Sequence, residues 1–76
     1  MPHVTIEMLP GRSESIKQEL ADTIRNTVSK IVKTSPDSVS VLIKDVKKEN
    51  WDSEVYDRIM KTPDLLYKMP LPPTEK

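Results

Sequence analysis

Cysteine and phenylalanine are absent from this chain, and glycine and histidine occur once each. Without cysteine neither a disulfide framework nor a thiolate zinc site can form, and composition leaves the redox compartment open. One histidine, His3, cannot build a His-based metal cluster, so no metal is expected, and one glycine cannot build a Gly-rich phosphate loop. Twelve basic and twelve acidic residues cancel, which removes the whole-chain positive field that dominates affinity for nucleic acid. The one basic run, "KDVKK", is diluted by Asp45 and Glu49 and has no interleaved aromatic, so no nucleic-acid partner is expected. No stretch approaches the ~20 consecutive apolar residues of a membrane span. Nor does a basic segment followed by an apolar one open the chain, so the expectation is a cytoplasmic protein with no membrane partner. The 76 residues make a single domain, 1–76, and a chain this short buries a small share of its surface, which favours self-association.

What is present is a clear alternation of periods. Val4, Ile6 and Met8 alternate with Thr5 and Glu7, the period of a strand with one buried face, and Pro10 and Gly11 end it. Ser13 then offers an N-cap, Glu14 suits the positive end of a helix dipole, and Ser15 with Gln18 offers a second capping box. Ile16, Leu20, Ile24, Val28, Ile31 and Val32 recur at three and four residues, predicting one apolar face on a helix to about Lys33, roughly 30 Å long. "TSPDS" interrupts it, and "SVSVLIKDV" predicts a second strand with Val39, Val41 and Ile43 on one face and Ser38, Ser40, Leu42 and Lys44 on the other. Strand, long helix, strand reads as a right-handed βαβ unit with two parallel strands. Such a unit leaves both sheet edges open, which a second copy extending the sheet would cure. After Trp51, "DSEVYDRIMKT" has the spacing of a short helix, which Pro63 stops, and the proline-rich 68–76 reads as a flexible tail.

The residue with unusual chemical scope is Pro2. If it only stiffens the mouth of an edge strand, its missing N–H costs nothing. If Met1 is removed, as a small second residue generally permits, Pro2 carries a free secondary amine. An exposed α-amine titrates at about 7.7 to 8.0. Burial beside apolar groups and a cation would lower that value and make the amine a base near working pH. The carboxylates sit among lysines on a solvated helix face, and no other catalytic constellation is present.

The order "MP" before an alternating strand, "L.GRS" before a long amphipathic helix, "SV.V.I" as second strand and an aromatic residue about eight positions later resembles the 4-oxalocrotonate tautomerase family. The resemblance covers residues 1 to about 51, and "NWDSEVYDRIM" is similar to the family's small dimeric bacterial branch. It implies an α/β fold, a βαβ protomer with a short C-terminal helix, paired into a four-stranded sheet with helices on one face. It implies a homodimer in preference to a hexamer, and a cofactor-independent isomerase moving a proton between oxygen and carbon of a 2-oxo or enol acid. By the same resemblance Pro2 is the general base, Arg12 binds a substrate carboxylate and Trp51 is the aromatic wall of the pocket. Ser40 stands where the best-known members carry a second arginine, which makes it a pocket-lining candidate and points away from dicarboxylates toward an arylpyruvate-like monocarboxylate. His3 is a candidate supporting residue behind the site. The alternative is a dimeric scaffold or binding module that keeps the fold with little or no catalysis. A straight strand also separates Pro2 from Arg12, so which subunit supplies Arg12 to a given Pro2 is open.

Overall fold

The computed structural model describes residues 1–66, and the tail expected at 68–76 lies outside them. Strand β1 (His3–Met8) pairs in parallel with β2 (Ser40–Asp45), and the long helix α1 (Glu14–Val32) forms the crossover between them. The register runs from His3 opposite Ser40 to Met8 opposite Asp45. Since side chains alternate along a strand, that register places Val4, Ile6, Val41 and Ile43 on one face of the sheet. His3, Thr5, Glu7, Ser40, Leu42 and Lys44 then share the other face. Helix α1 packs on β2 from the first of these faces, where Lys17 Nζ donates to Asp45 Oδ2 at 2.7 Å. Strand β1 begins one residue before the predicted alternation, and β2 begins two residues into "SVSVLIKDV" because Pro36–Ser38 form a 3-10 turn; β2 ends at Asp45, with the Val46 N–H still donating to the Met8 carbonyl at 2.9 Å.

The turns follow from local chemistry. Gly11 adopts φ +126°, a conformation that side chains rarely tolerate, and so turns the chain from β1 toward α1. Ser13 is the N-cap, its Oγ accepting from the Ile16 N–H at 3.2 Å as predicted, whereas Gln18 donates to Asp22 Oδ1 at 2.9 Å. Lys33 closes the helix in the left-handed conformation, φ 59°, with its N–H on the Ser29 carbonyl. A short 3-10 turn at Pro36–Ser38 is capped by Ser35, whose Oγ accepts from the Asp37 N–H at 3.2 Å, and leads through buried Val39 into β2.

Two results differ from the periodicity. The face predicted for α1 is wider than two strands can cover: Leu20, Ile24 and Val28 are half-buried, but Ile16, Ile31 and Val32 remain exposed. The C-terminal helix starts earlier than predicted, at α2 (Lys48–Trp51), continues through a π turn (Asp52–Tyr56) and ends with α3 (Asp57–Met60), before Pro63. Trp51 therefore lies inside the helical segment. In the π turn the Asp57 N–H reaches back to the Asp52 carbonyl. One extra residue per turn swings the following segment back by about 100°. That swing sets Tyr56 and Ile59 against the buried cluster of Val46, Trp51 and Val55, together with Leu9. Arg58 of α3 pairs with Glu7 of β1, tying the segment to the sheet.

The hydrogen bond that Lys17 donates to Asp45 holds the Lys17 pKa above its ordinary 10.5, outweighing partial desolvation. A folded-state pKa raised in this way contributes stability below the unfolded pKa and loses it as pH rises through the folded value. Asp45→Asn should therefore melt below the native chain at neutral pH, and thermal melts across pH should show the gap closing above about pH 10.5.

Candidate functional site

The five sequence candidates fall into two groups at opposite ends of the strands. The first group is Pro2, His3 and Ser40. Pro2 is half-buried, and its carbonyl accepts from the Ser40 N–H at 3.2 Å, so the parallel ladder begins at Pro2 itself. Met1 is fully exposed, at 104%, and packs against nothing. His3 projects from the face opposite α1, where its Nδ1 lies 2.5 Å from Ser40 Oγ and its Nε2 lies 3.1 Å from Thr5 Oγ1. Both ring nitrogens are thus occupied, and the imidazole is held in one orientation by hydroxyls on two strands.

The second group is Arg12 and Trp51. Arg12 is exposed just after Gly11, with Nη1 donating to the Leu9 carbonyl at 3.1 Å and no carboxylate partner among the described residues. A guanidinium has five N–H donors in a planar fork, so most of its capacity for a carboxylate is unspent. Trp51 is buried at 6% exposure against Val46 and Val55, and its Nε1 has no hydrogen-bond partner among the described residues. Its neighbours Leu9 and Val46 directly follow the two strands, which puts the ring at the end remote from Pro2. From His3 to Met8 the strand rises about 17 Å, and Arg12 lies beyond Met8. Within one protomer, then, Arg12 and Trp51 both lie beyond the exits of the strands, and Pro2 lies at their start.

Sequence reasoning passed over two contacts. Thr5 reads only as the polar step of an alternating strand, although His3 and Thr5 are two residues apart on one face and so within side-chain reach. Glu7 with Arg58 depends on the path of the C-terminal segment, which the π turn sets. Among the described residues no helix is long and apolar enough to cross a membrane.

A small α/β protomer with a parallel strand pair, a single crossover helix and a proline at the head of the first strand defines the tautomerase class of architecture. The family model described as "Tautomerase enzyme" matches residues 2–56. A "Probable tautomerase" of Xylella fastidiosa is 34% identical over 71 residues, covering 83% of this chain and 87% of its own length. "Tautomerase PptA" of Cronobacter sakazakii is 38% identical over 58 residues, 75% of this chain and 76% of its own. "Tautomerase PptA" of Pectobacterium atrosepticum is 36% identical over 72 residues, 92% of this chain and 95% of its own. The chain belongs to the 4-oxalocrotonate tautomerase family, and a tautomerase-type, isomerase function follows from that membership.

Because the Met1 side chain contacts nothing, a chain that begins at Pro2 should melt at the same temperature as one that retains Met1. Intact mass spectrometry to sort the two forms, followed by calorimetry on each, checks this.

Proposed function

We propose that the chain is a cofactor-independent keto-enol tautomerase of 2-oxo or enol acids, with the Pro2 amine, exposed by loss of Met1, as its general base. The observation that carries this reading is the state of the first two residues: Met1 is free of contacts, while Pro2 is half-buried and pinned by the Ser40 N–H. Removing Met1 leaves a positioned secondary amine beside a polar cluster. As a neutral amine, Pro2 takes a proton from the enol oxygen or from the carbon next to a carbonyl. As an ammonium it returns a proton to the other end of the three-atom unit. Arg12 binds the substrate carboxylate through its open fork, and Trp51 backs the pocket with apolar surface that excludes water.

The proposal requires a second copy. With Arg12 and Trp51 at the far end of the strands from Pro2, a complete site needs a neighbouring chain laid in the opposite sense, which brings its Arg12 to this Pro2. Three observations support a homodimer. The two-stranded sheet has no further strand at either edge among the described residues. Ile16, Ile31 and Val32 leave apolar surface exposed on α1. Ile16 and Leu20 also line a shallow groove with Glu19 and Thr23 on the same helix. One cation and one aromatic wall fit an arylpyruvate-like monocarboxylate better than a dicarboxylate, and Ser40 adds a neutral hydrogen-bonding group where a second cation would otherwise favour the latter.

Ketonisation of phenylenolpyruvate, followed by loss of enol absorbance, tests the base. Pro2→Ala should slow it by about a hundredfold or more, and an unchanged rate would remove Pro2 as the base, whereas no ketonisation by the native chain would leave a scaffold. The same assay with 2-hydroxymuconate should give the lower kcat/KM. The composite site has its own test. Pro2→Ala and Arg12→Ala chains, each nearly inactive alone, should recover about a quarter of native activity after subunit exchange, since half the dimers are then mixed and each mixed dimer has one intact site. No recovery, with exchange verified by native mass spectrometry, would place Pro2 and Arg12 of one site on the same chain.

A further inference from the structure

The hydrogen-bonded row Ser40–His3–Thr5 lies on the sheet face opposite α1, its three residues are exposed, and it serves no buried core. Nevertheless both nitrogens of the only histidine are committed within it. It is also joined to the proposed base, because Ser40 holds Pro2 through its N–H and His3 through its Oγ. We propose that this row is a proton relay for the reacting oxygen of the substrate, with Ser40 touching that oxygen and His3 and Thr5 acting through Ser40. The proposal rests on the tautomerase reading and assigns the proton on oxygen to the row, leaving the proton on carbon to Pro2.

The chemical reason lies in what tautomerisation does to that oxygen. In the enol it is an O–H donor, and in the ketone it is only an acceptor. A fixed donor or a fixed acceptor complements one of the two forms and opposes the other. A hydroxyl backed by a neutral imidazole can serve both, because the ring has one donor and one acceptor nitrogen and can exchange them. In the enol complex Ser40 accepts from the enol O–H and donates to His3 Nδ1, while His3 Nε2–H donates to Thr5 Oγ1. On ketonisation the enol proton passes to Ser40 Oγ and the original Ser40 proton passes to Nδ1. The Nε2 proton passes to Thr5 Oγ1, and the original Thr5 proton passes to water. Carbon takes its proton from the Pro2 ammonium. Each O–H or N–H bond formed along the row replaces one broken, and the ring is neutral before and after. Ser40 ends as a donor to the new carbonyl and an acceptor from Nδ1–H. The proton released to water balances the one the amine must regain for the next turnover, and enolisation runs the same steps in reverse.

Thr5 separates this relay from a merely structural role. It stands two residues beyond His3, about 7 Å along the strand, and does not contact the substrate in this scheme. Thr5→Val keeps the shape and the β-branching of a strand residue and removes only the hydroxyl. With phenylenolpyruvate as probe, Thr5→Val and Ser40→Ala should each lower kcat by about a hundredfold, and Thr5→Val should leave KM within about twofold because it alters no substrate contact. Thr5→Ser, which restores the hydroxyl, should restore kcat. A native kcat in Thr5→Val, or a Thr5→Ser as slow as Thr5→Val, overturns the relay. Pro2→Ala measured alongside distinguishes the two readings: a full rate in Pro2→Ala removes the proline base whatever Thr5 shows. A slow Pro2→Ala with a native Thr5→Val removes the relay alone. No turnover by the native chain removes both.

Discussion

The parallel register of β1 and β2 is the constraint on which the rest of this molecule depends. Its first rung, from the Ser40 N–H to the Pro2 carbonyl, ties the head of the chain to the start of the second strand. From that rung the alternation of side chains follows without further choice. The aliphatic row turns toward α1, and His3, Thr5 and Ser40 turn together to the opposite face. Slipping the pairing by one residue would exchange those faces and separate the imidazole from its serine. A 19-residue helix closes the crossover, and Ser13 and Lys33 determine where it starts and stops.

A second consequence of the register is polarity along the sheet. Because the strands run the same way, both of their starts lie at one end and both of their exits at the other. The starts carry Pro2 and the hydrogen-bonded pair of His3 and Ser40, and the exits carry the cation and the indole. Neither end has both kinds of group. The sheet edges, unpaired among the described residues, and the exposed flank of α1 belong to the same economy of size: a chain with two strands has too little structure to cover all the apolar surface of its helix.

Much of this was legible in the residues. Alternation at Val4, Ile6 and Met8, three-and-four spacing from Ile16 to Val28, and turn chemistry at Gly11 and Pro36 each carried a local physical preference that the tertiary structure respects. The separation of Pro2 from Arg12 was legible too, since strand rise alone forbids their meeting along one straight strand. The C-terminal helix was less so. A π turn is one residue out of phase with a regular helix, and no spacing rule applied to Val55, Tyr56 and Ile59 reports it, so the early start at Lys48 and the burial of Trp51 within the helix emerge only from the structure. The His3–Ser40–Thr5 row is illegible for another reason. It joins positions 37 residues apart, and nothing local to either strand announces the pairing.

The contact-free side chain of Met1 has a meaning for the life of the protein. Trimming one residue from the nascent chain changes no packing and no strand, yet under the reading proposed here it converts an inert amide into the reactive group. Folding and chemical competence are then acquired separately, the first from the sequence and the second from an aminopeptidase. On that reading two populations of this chain would share one shape and one stability while differing wholly in reactivity, and the supply of active protein would be governed at the ribosome's exit as well as by the gene's expression.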